Sequence, residues 1–184
     1  MRPVERGEIL DFLSYEDVRN AIRERTMAIK EKRRVVVGGV LTFLFENHDT
    51  VRYQVLEMVR TERLVRESDI QHELDTYNEL LGRDGDLGCT LLVGIADPEE
   101  RDRRLREWLN LIPTLYVELE DGQRIAPTHD ARQISEDRLS SVQFLKFPTS
   151  GRVPVAVGCE LEELQARTVL EPWTREALAA DVAS

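Results

Sequence analysis

Residues 41–81, LTFLFENHDTVRYQVLEMVRTERLVRESDIQHELDTYNELL, constrain the fold more than any other stretch of the chain. The run 41–45 is apolar and too short for a helix, so it reads as a strand that needs sheet neighbours. Asn47, Asp49 and Thr50 follow at once. Their side-chain oxygens suit the start of a helix, whose first amides have no partner within the helix itself. Residues 50–65 then place Val51, Val55, Met58, Val59 and Val65 on one helical face, with Glu62 in its middle and Gln54 at its edge. Ser68-Asp69-Ile70-Gln71 has the form of a capping box and predicts a second helix over 69–81. Its stripe is Ile70, Leu74, Tyr77 and Leu81, with Glu73 on the border.

The flanking sequence supplies the rest of a sheet. Residues 35–37 and 40–45 read as strands around a Gly38-Gly39 bend, and 87–95 as a well-buried strand. Residues 114–120 alternate, turn at Asp121-Gly122 and return over 123–126, a hairpin signal. Two more strands are predicted at 142–147 and 153–157, while 161–171 fits either a strand or a short helix. Before the first strand, 1–13 reads as a lead-in anchored by Ile9, Leu10, Phe12 and Leu13. Ser14 is the expected cap of a helix over 15–32. Val18, Ala21, Ile22 and Ile29 form that helix's apolar stripe, and Arg25 falls inside it. Asp97-Pro98 starts a helix to about residue 110 that buries Leu105, Trp108 and Leu109, and Pro172 opens a last helix before a frayed tail at 179–184. No linker divides the chain, so the expectation is one α+β domain over 1–184: a mainly antiparallel sheet of five to seven strands carrying the helices.

Charge narrows the function classes. Acidic residues outnumber basic ones, 35 to 25, for a formal charge of −10. That balance disfavours nucleic acid and anionic membrane as partners. Arg101, Arg103, Arg104 and Arg106 make a local basic run that reads as a solvated helix face. No segment approaches the ~20 apolar residues of a membrane span, and the N-terminus lacks the apolar core of a secretory signal, so a cytoplasmic location is expected. Cys89 and Cys159 lie in apolar surroundings and read as buried free thiols.

No phosphate loop, zinc-protease or nucleophile-elbow motif occurs. Of the three histidines, His48, His72 and His129, only His72 has an acid at helical spacing, Asp69, and that pair points to solvent. What stands out is a set of polar groups on otherwise apolar helix faces: Arg25, Gln54, Glu62, Glu73 and Tyr77. One reading joins Arg25 and Glu62 in a buried structural bridge, with Gln54 or Tyr77 meeting the spare donors. The other gathers Glu57, Glu62, Glu73 and Tyr77 into a carboxylate-centred site that moves protons or holds a cation, with Glu62 and Glu73 as metal ligands. The bridge is the simpler reading.

The blocks RRV at 33–35, LTFLFEN at 41–47, Thr50, YQV-x-EM at 53–58 and R-x-ER at 60–63, then Glu73, Tyr77-Asn78 and SSVQFL at 140–145, keep the order and spacing of a known pattern. On them the chain resembles the bacterial DUF3501 family, a family of unknown function. Gly38-Gly39 departs from the Gly-Pro expected there, and Leu56 from a polar residue. Arg60 and Asn78, within the matching blocks, join Arg25 and Gln54 as candidate ligand contacts. The resemblance implies no activity and no cofactor. It does imply a redox or oxidative-stress setting, because relatives are encoded beside rubrerythrin-like and iron–sulfur proteins. Two functions follow as expectations. The first is a non-enzymatic accessory protein for a redox metalloprotein partner, and the second an enzyme or metal-binding protein with the carboxylate site. A homodimer through a sheet edge or the central helices is compatible with both.

Overall fold

The computed structural model describes residues 1–130 and 137–184. Among these, five α-helices and nine strands form an α+β fold. β1 (Arg34–Val37) and β2 (Leu41–Phe45) make a hairpin whose turn holds Gly38 and Gly39 at φ +59° and +76°. Proline's ring fixes φ near −65°, so this turn is closed to the Gly-Pro pair that the resemblance would put here. β2 pairs with β3 (Leu87–Val93), and β3 with β7 (Val142–Phe147), all antiparallel. The first sheet has the order β1-β2-β3-β7-β6, ending on the two-residue β6 (Thr128–His129).

A second antiparallel sheet stands beside the first, where a single sheet was expected. It runs β5-β4-β8-β9, with β4 (Leu115–Glu118), β5 (Arg124–Ile125), β8 (Ala156–Cys159) and β9 (Ala166–Val169). The expected 114–126 hairpin is present, but it pairs with β8 and not with the first sheet. β8 begins three residues later than expected because Pro154 has no amide to donate to a ladder. The ambiguous 161–171 segment is a short 3-10 turn, Glu162–Leu164, followed by β9.

Two apolar cores result. The larger combines Phe43, Phe45, Leu91 and Phe147 of the first sheet with Leu115, Val117 and Val157 of the second. Leu105 and Trp108 from the α4 region (α4, Pro98–Glu107) and Leu178 from α5 (Pro172–Val182) close it. The smaller core belongs to α1 (Phe12–Glu31), α2 (His48–Thr61) and α3 (Glu67–Asn78), where Val51, Val55, Leu56 and Val59 meet Ile70 and Leu74. Cys89 and Cys159 are free and buried. The arginines of α4 pair with nearby acids, Arg103 with Glu107 and Arg106 with Asp102, as a solvated face would. No helix among the described residues is long and apolar enough to cross a membrane.

Helix ends differ from expectation for local reasons. Asp11 caps α1 in place of Ser14, accepting the Leu13 and Ser14 amides at 3.0 Å each. Asn47 and Thr50 cap α2 reciprocally. That helix stops at Thr61 and the chain turns through Arg63 at φ +50°, leaving Val65 outside the helix and 74% exposed. Ser68 bonds the Asp69 side chain instead of capping α3, which starts two residues earlier than expected and without a side-chain cap. α3 also ends at Asn78, four residues before Gly82.

The largest departure is the orientation of α1. Ile22 and Ile29 are half-buried, but Val18, Ala21 and Arg25 face solvent while Tyr15 and Thr26 point inward. Nor does the C-terminus fray at 179–184. α5 continues to Val182, and Asp181 is buried in a two-pronged ion pair with Arg33, Oδ2 to Nε at 2.8 Å and Oδ1 to Nη2 at 2.9 Å. This pair ties the end of α1 to the last helix. Removing one partner strands the other charge away from water. Asp181→Ala should therefore cost ~3–5 kcal/mol in urea unfolding, and most of the loss should return when Arg33 is replaced by Met in the same chain.

Candidate functional site

α1 and α2 are held together by charge as well as by apolar packing. Glu57, on α2, accepts from the Tyr15 hydroxyl at 2.6 Å and from Arg19 Nε and Nη2 at 2.8 and 2.9 Å. Glu16 and Arg60 pair one turn further along. Burial would raise the Glu57 carboxyl, but the Arg19 and Tyr15 bonds outweigh it and hold the group below the usual carboxylate range. Tyr15 is pushed upward by burial and by the Glu57 charge, so its hydroxyl stays protonated and donating.

A second carboxylate anchors α2 to the sheet. Glu46 follows the buried β2 strand, directly before the α2 cap, and is 6% exposed. It accepts the Thr50 hydroxyl at 2.5 Å and the Thr90 hydroxyl at 2.7 Å, one donor from α2 and one from β3. The helix N-terminus favours negative charge at this position. Lys30, half-buried, extends over the Tyr53 ring at 5.2 Å. Its ammonium is pushed down by burial, with the Glu46 charge pulling the other way. Sequence reasoning passed over Glu46. The available signal was an acid closing an apolar strand inside the LTFLFEN block.

The expected constellation is only partly assembled. Gln54, Glu73 and Tyr77 meet where α2 and α3 pack, and burial, then Glu73 and Glu62, raise the Tyr77 phenol against the neighbouring Gln54 amide. Arg25 and Glu62 do not form the expected bridge. Both are exposed, and the α1–α2 pairing sets Arg25 beyond Arg19 while Glu62, the C-cap of α2, lies beyond the Glu16–Arg60 pair at the opposite end of α1. Asn78 is a structural clamp: its amide exchanges two hydrogen bonds with the Val4 backbone, 2.8 and 2.9 Å, fixing the lead-in. Arg60 is occupied by Glu16. Among the described residues no group of three or more His, Cys, Asp or Glu is placed to hold a metal ion, so Glu62 and Glu73 have no third ligand there. His48 reaches Glu8 at 3.2 Å.

Two surface features remain. Between α1 and α5 runs a groove of about 430 Å³ floored by Ala28, Ile29, Ala177 and Ala180, with Arg25 and Lys32 on one side and Trp173 and Glu176 on the other. Between the last turn of α3 and the β6–β7 edge lies a cavity of about 510 Å³ whose walls include Tyr77, Leu80, Phe144 and Lys146.

The family pattern matches residues 3–182, and the chain belongs to the family described as "Protein of unknown function (DUF3501)". The fold is similar to the crystal structure of a protein of unknown function from Burkholderia pseudomallei K96243, at 25% identity and a TM-score of 0.88. The alignment covers 98% of this chain and 99% of that one. No curated protein matches the chain. These likenesses carry the fold and bring no chemistry with them.

The Glu57 network makes a pH prediction. The folded carboxyl titrates below its unfolded value, so its stabilisation is complete above the ordinary carboxylate range and is lost as pH falls through the Glu57 titration. Glu57→Gln should be ~1 kcal/mol less stable than the parent at pH 7, and the two urea midpoints should converge as pH falls through and below the ordinary carboxylate range. At Glu46 the outcome has a different shape. Glu46→Gln keeps one acceptor but turns a donor towards a hydroxyl, which should cost ~1–3 kcal/mol by thermal unfolding, with partial recovery in Glu46→Gln/Thr90→Val.

Proposed function

We propose that this protein is a non-enzymatic accessory protein that docks a protein partner along the outward face of α1 and the groove between α1 and α5. One observation carries this reading: the side of α1 that carries Val18, Ala21 and Arg25 is turned to solvent. Val18 is 42% exposed and Trp173, at the groove, 53%. Helical spacing makes Val18, Ala21, Arg25, Ala28 and Lys32 one continuous strip leading into the groove. Small side chains on the floor and a tryptophan on the wall suit a helix laid lengthwise, with Trp173 as the central anchor.

Charge selects the partner's chemistry. The chain carries −10 overall, yet Arg25 and Lys32 have no carboxylate partner among the described residues, and Glu176 is the one acid lining the groove. The fitting occupant is an acidic amphipathic helix of another protein, its apolar side on the floor and its carboxylates on Arg25 and Lys32. The redox setting rests on the family resemblance: the partner is a redox metalloprotein of the rubrerythrin-like or iron–sulfur kind. Glu57 supports a non-catalytic reading, since both of its oxygens are engaged by Tyr15 and Arg19.

Affinity capture from an extract of the source cells, with proteins identified by mass spectrometry and metals by elemental analysis, tests this. The parent chain should retain an acidic metalloprotein, and Trp173→Ala/Lys32→Glu should retain at least tenfold less while keeping the parent's circular dichroism. Undiminished capture by the variant contradicts the proposed face. A purified parent chain that dimerises through Trp173 in light scattering contradicts the proposed occupant.

A further inference from the structure

The cavity between α3 and the β6–β7 edge is independent of the docking face and has a polarised lining. On one side is the C-terminal turn of α3, with Thr76, Tyr77, Glu79 and Leu80. A helix C-terminus presents carbonyl oxygens and the negative end of the helix dipole, and the exposed Glu79 carboxylate adds to it. The opposite wall carries Lys146, His129 and Asp130, all half-buried. Lys146 has no carboxylate partner among the described residues, and Asp130, beside His129, is engaged in an interaction of its own. Between the charged walls lies an apolar body: Leu80, the Tyr77 ring and Phe144, which stands two residues before Lys146 on the same face of β7.

Gly88 holds the two walls together. It pairs with Lys146 across β3 and β7, and a Cβ there would lie 1.7 Å from the Leu80 carbonyl oxygen. Glycine is thus required for the α3 exit turn to rest on the sheet beside Lys146. At about 510 Å³ the cavity falls in the range of small-molecule sites.

We propose that this cavity binds a small zwitterion with an aromatic body, the chemistry of a free aromatic amino acid. The ammonium faces Glu79 and the negative end of α3, the carboxylate faces Lys146, and the ring packs against Leu80, Tyr77 and Phe144. A ligand of one charge would leave the wall of its own sign repelled and desolvated, so only a zwitterion satisfies both.

Isothermal titration with L-phenylalanine, 3-phenylpropionate (no ammonium) and phenethylamine (no carboxylate) separates the contributions. L-phenylalanine should bind at least tenfold more tightly than either analogue. Lys146→Met should weaken L-phenylalanine at least tenfold and leave phenethylamine unchanged, while Glu79→Gln should weaken L-phenylalanine and leave 3-phenylpropionate unchanged. No saturable binding of L-phenylalanine by the parent chain up to about 10 mM, above the range of useful affinity, overturns the proposal. So does equal binding by the parent and both variants. Glu79 is exposed and Lys146 half-buried, and unchanged circular dichroism shows that the site's frame survives.

Discussion

Two carboxylates on either side of α2 govern the arrangement of this molecule. Glu46 joins α2 to the sheet through Thr50 and Thr90, and Glu57 joins α2 to α1 through Tyr15 and Arg19. Apolar burial supplies most of the driving force for any domain, but it is non-directional. α1 has apolar side chains on more than one face, so burial alone does not decide which face turns inward. A bidentate guanidinium and a phenol converging on one carboxylate do decide it, because a half-buried charge without its donors is expensive.

That choice has consequences at the surface. With Tyr15, Arg19 and Thr26 turned towards α2, the stripe of Val18, Ala21 and Arg25 lies on the outside. The buried Arg33–Asp181 pair then fixes α5 beside it, and Trp173 completes a groove with cations on its rim. The proposed docking face is made of this exposed strip and the groove beside it, and the polar network beneath holds α1 in place. The proposed partner reading rests on this exposed strip, whereas the α3 cavity arises separately, from the close approach that Gly88 permits.

Much of the fold was legible in the residues. The β1–β2 hairpin, β3, α4 with its Asp97 cap, the 114–126 hairpin and β7 all follow from period, punctuation and capping chemistry. What escaped depended on contacts distant in sequence. Nothing local distinguishes one antiparallel sheet from two, and a two-residue strand such as β6 has no period to detect. Arg25 and Glu62 each break an apolar stripe, which suggested a bridge, but stripe membership says nothing about position along a neighbouring helix. Glu57 was recognised as a candidate without its partners. Glu46 was missed because an acid before an N-cap is common, and only the fold brings Thr90 to it from 44 residues away.

The central claim is that α1 turns Tyr15, Arg19 and Thr26 towards α2 and leaves Val18, Ala21 and Arg25 on the outside. Single cysteines at Val18, Ala21, Arg25 and Thr26, reacted with a maleimide under native conditions, measure this directly, since Cys89 and Cys159 are both buried. The account predicts rapid labelling at 18, 21 and 25, close to the rate of the unfolded chain, and strong protection at 26. Protection at 18 and 21 with rapid labelling at 26 would contradict it, because α1 would then bury the side that carries Val18 and Ala21.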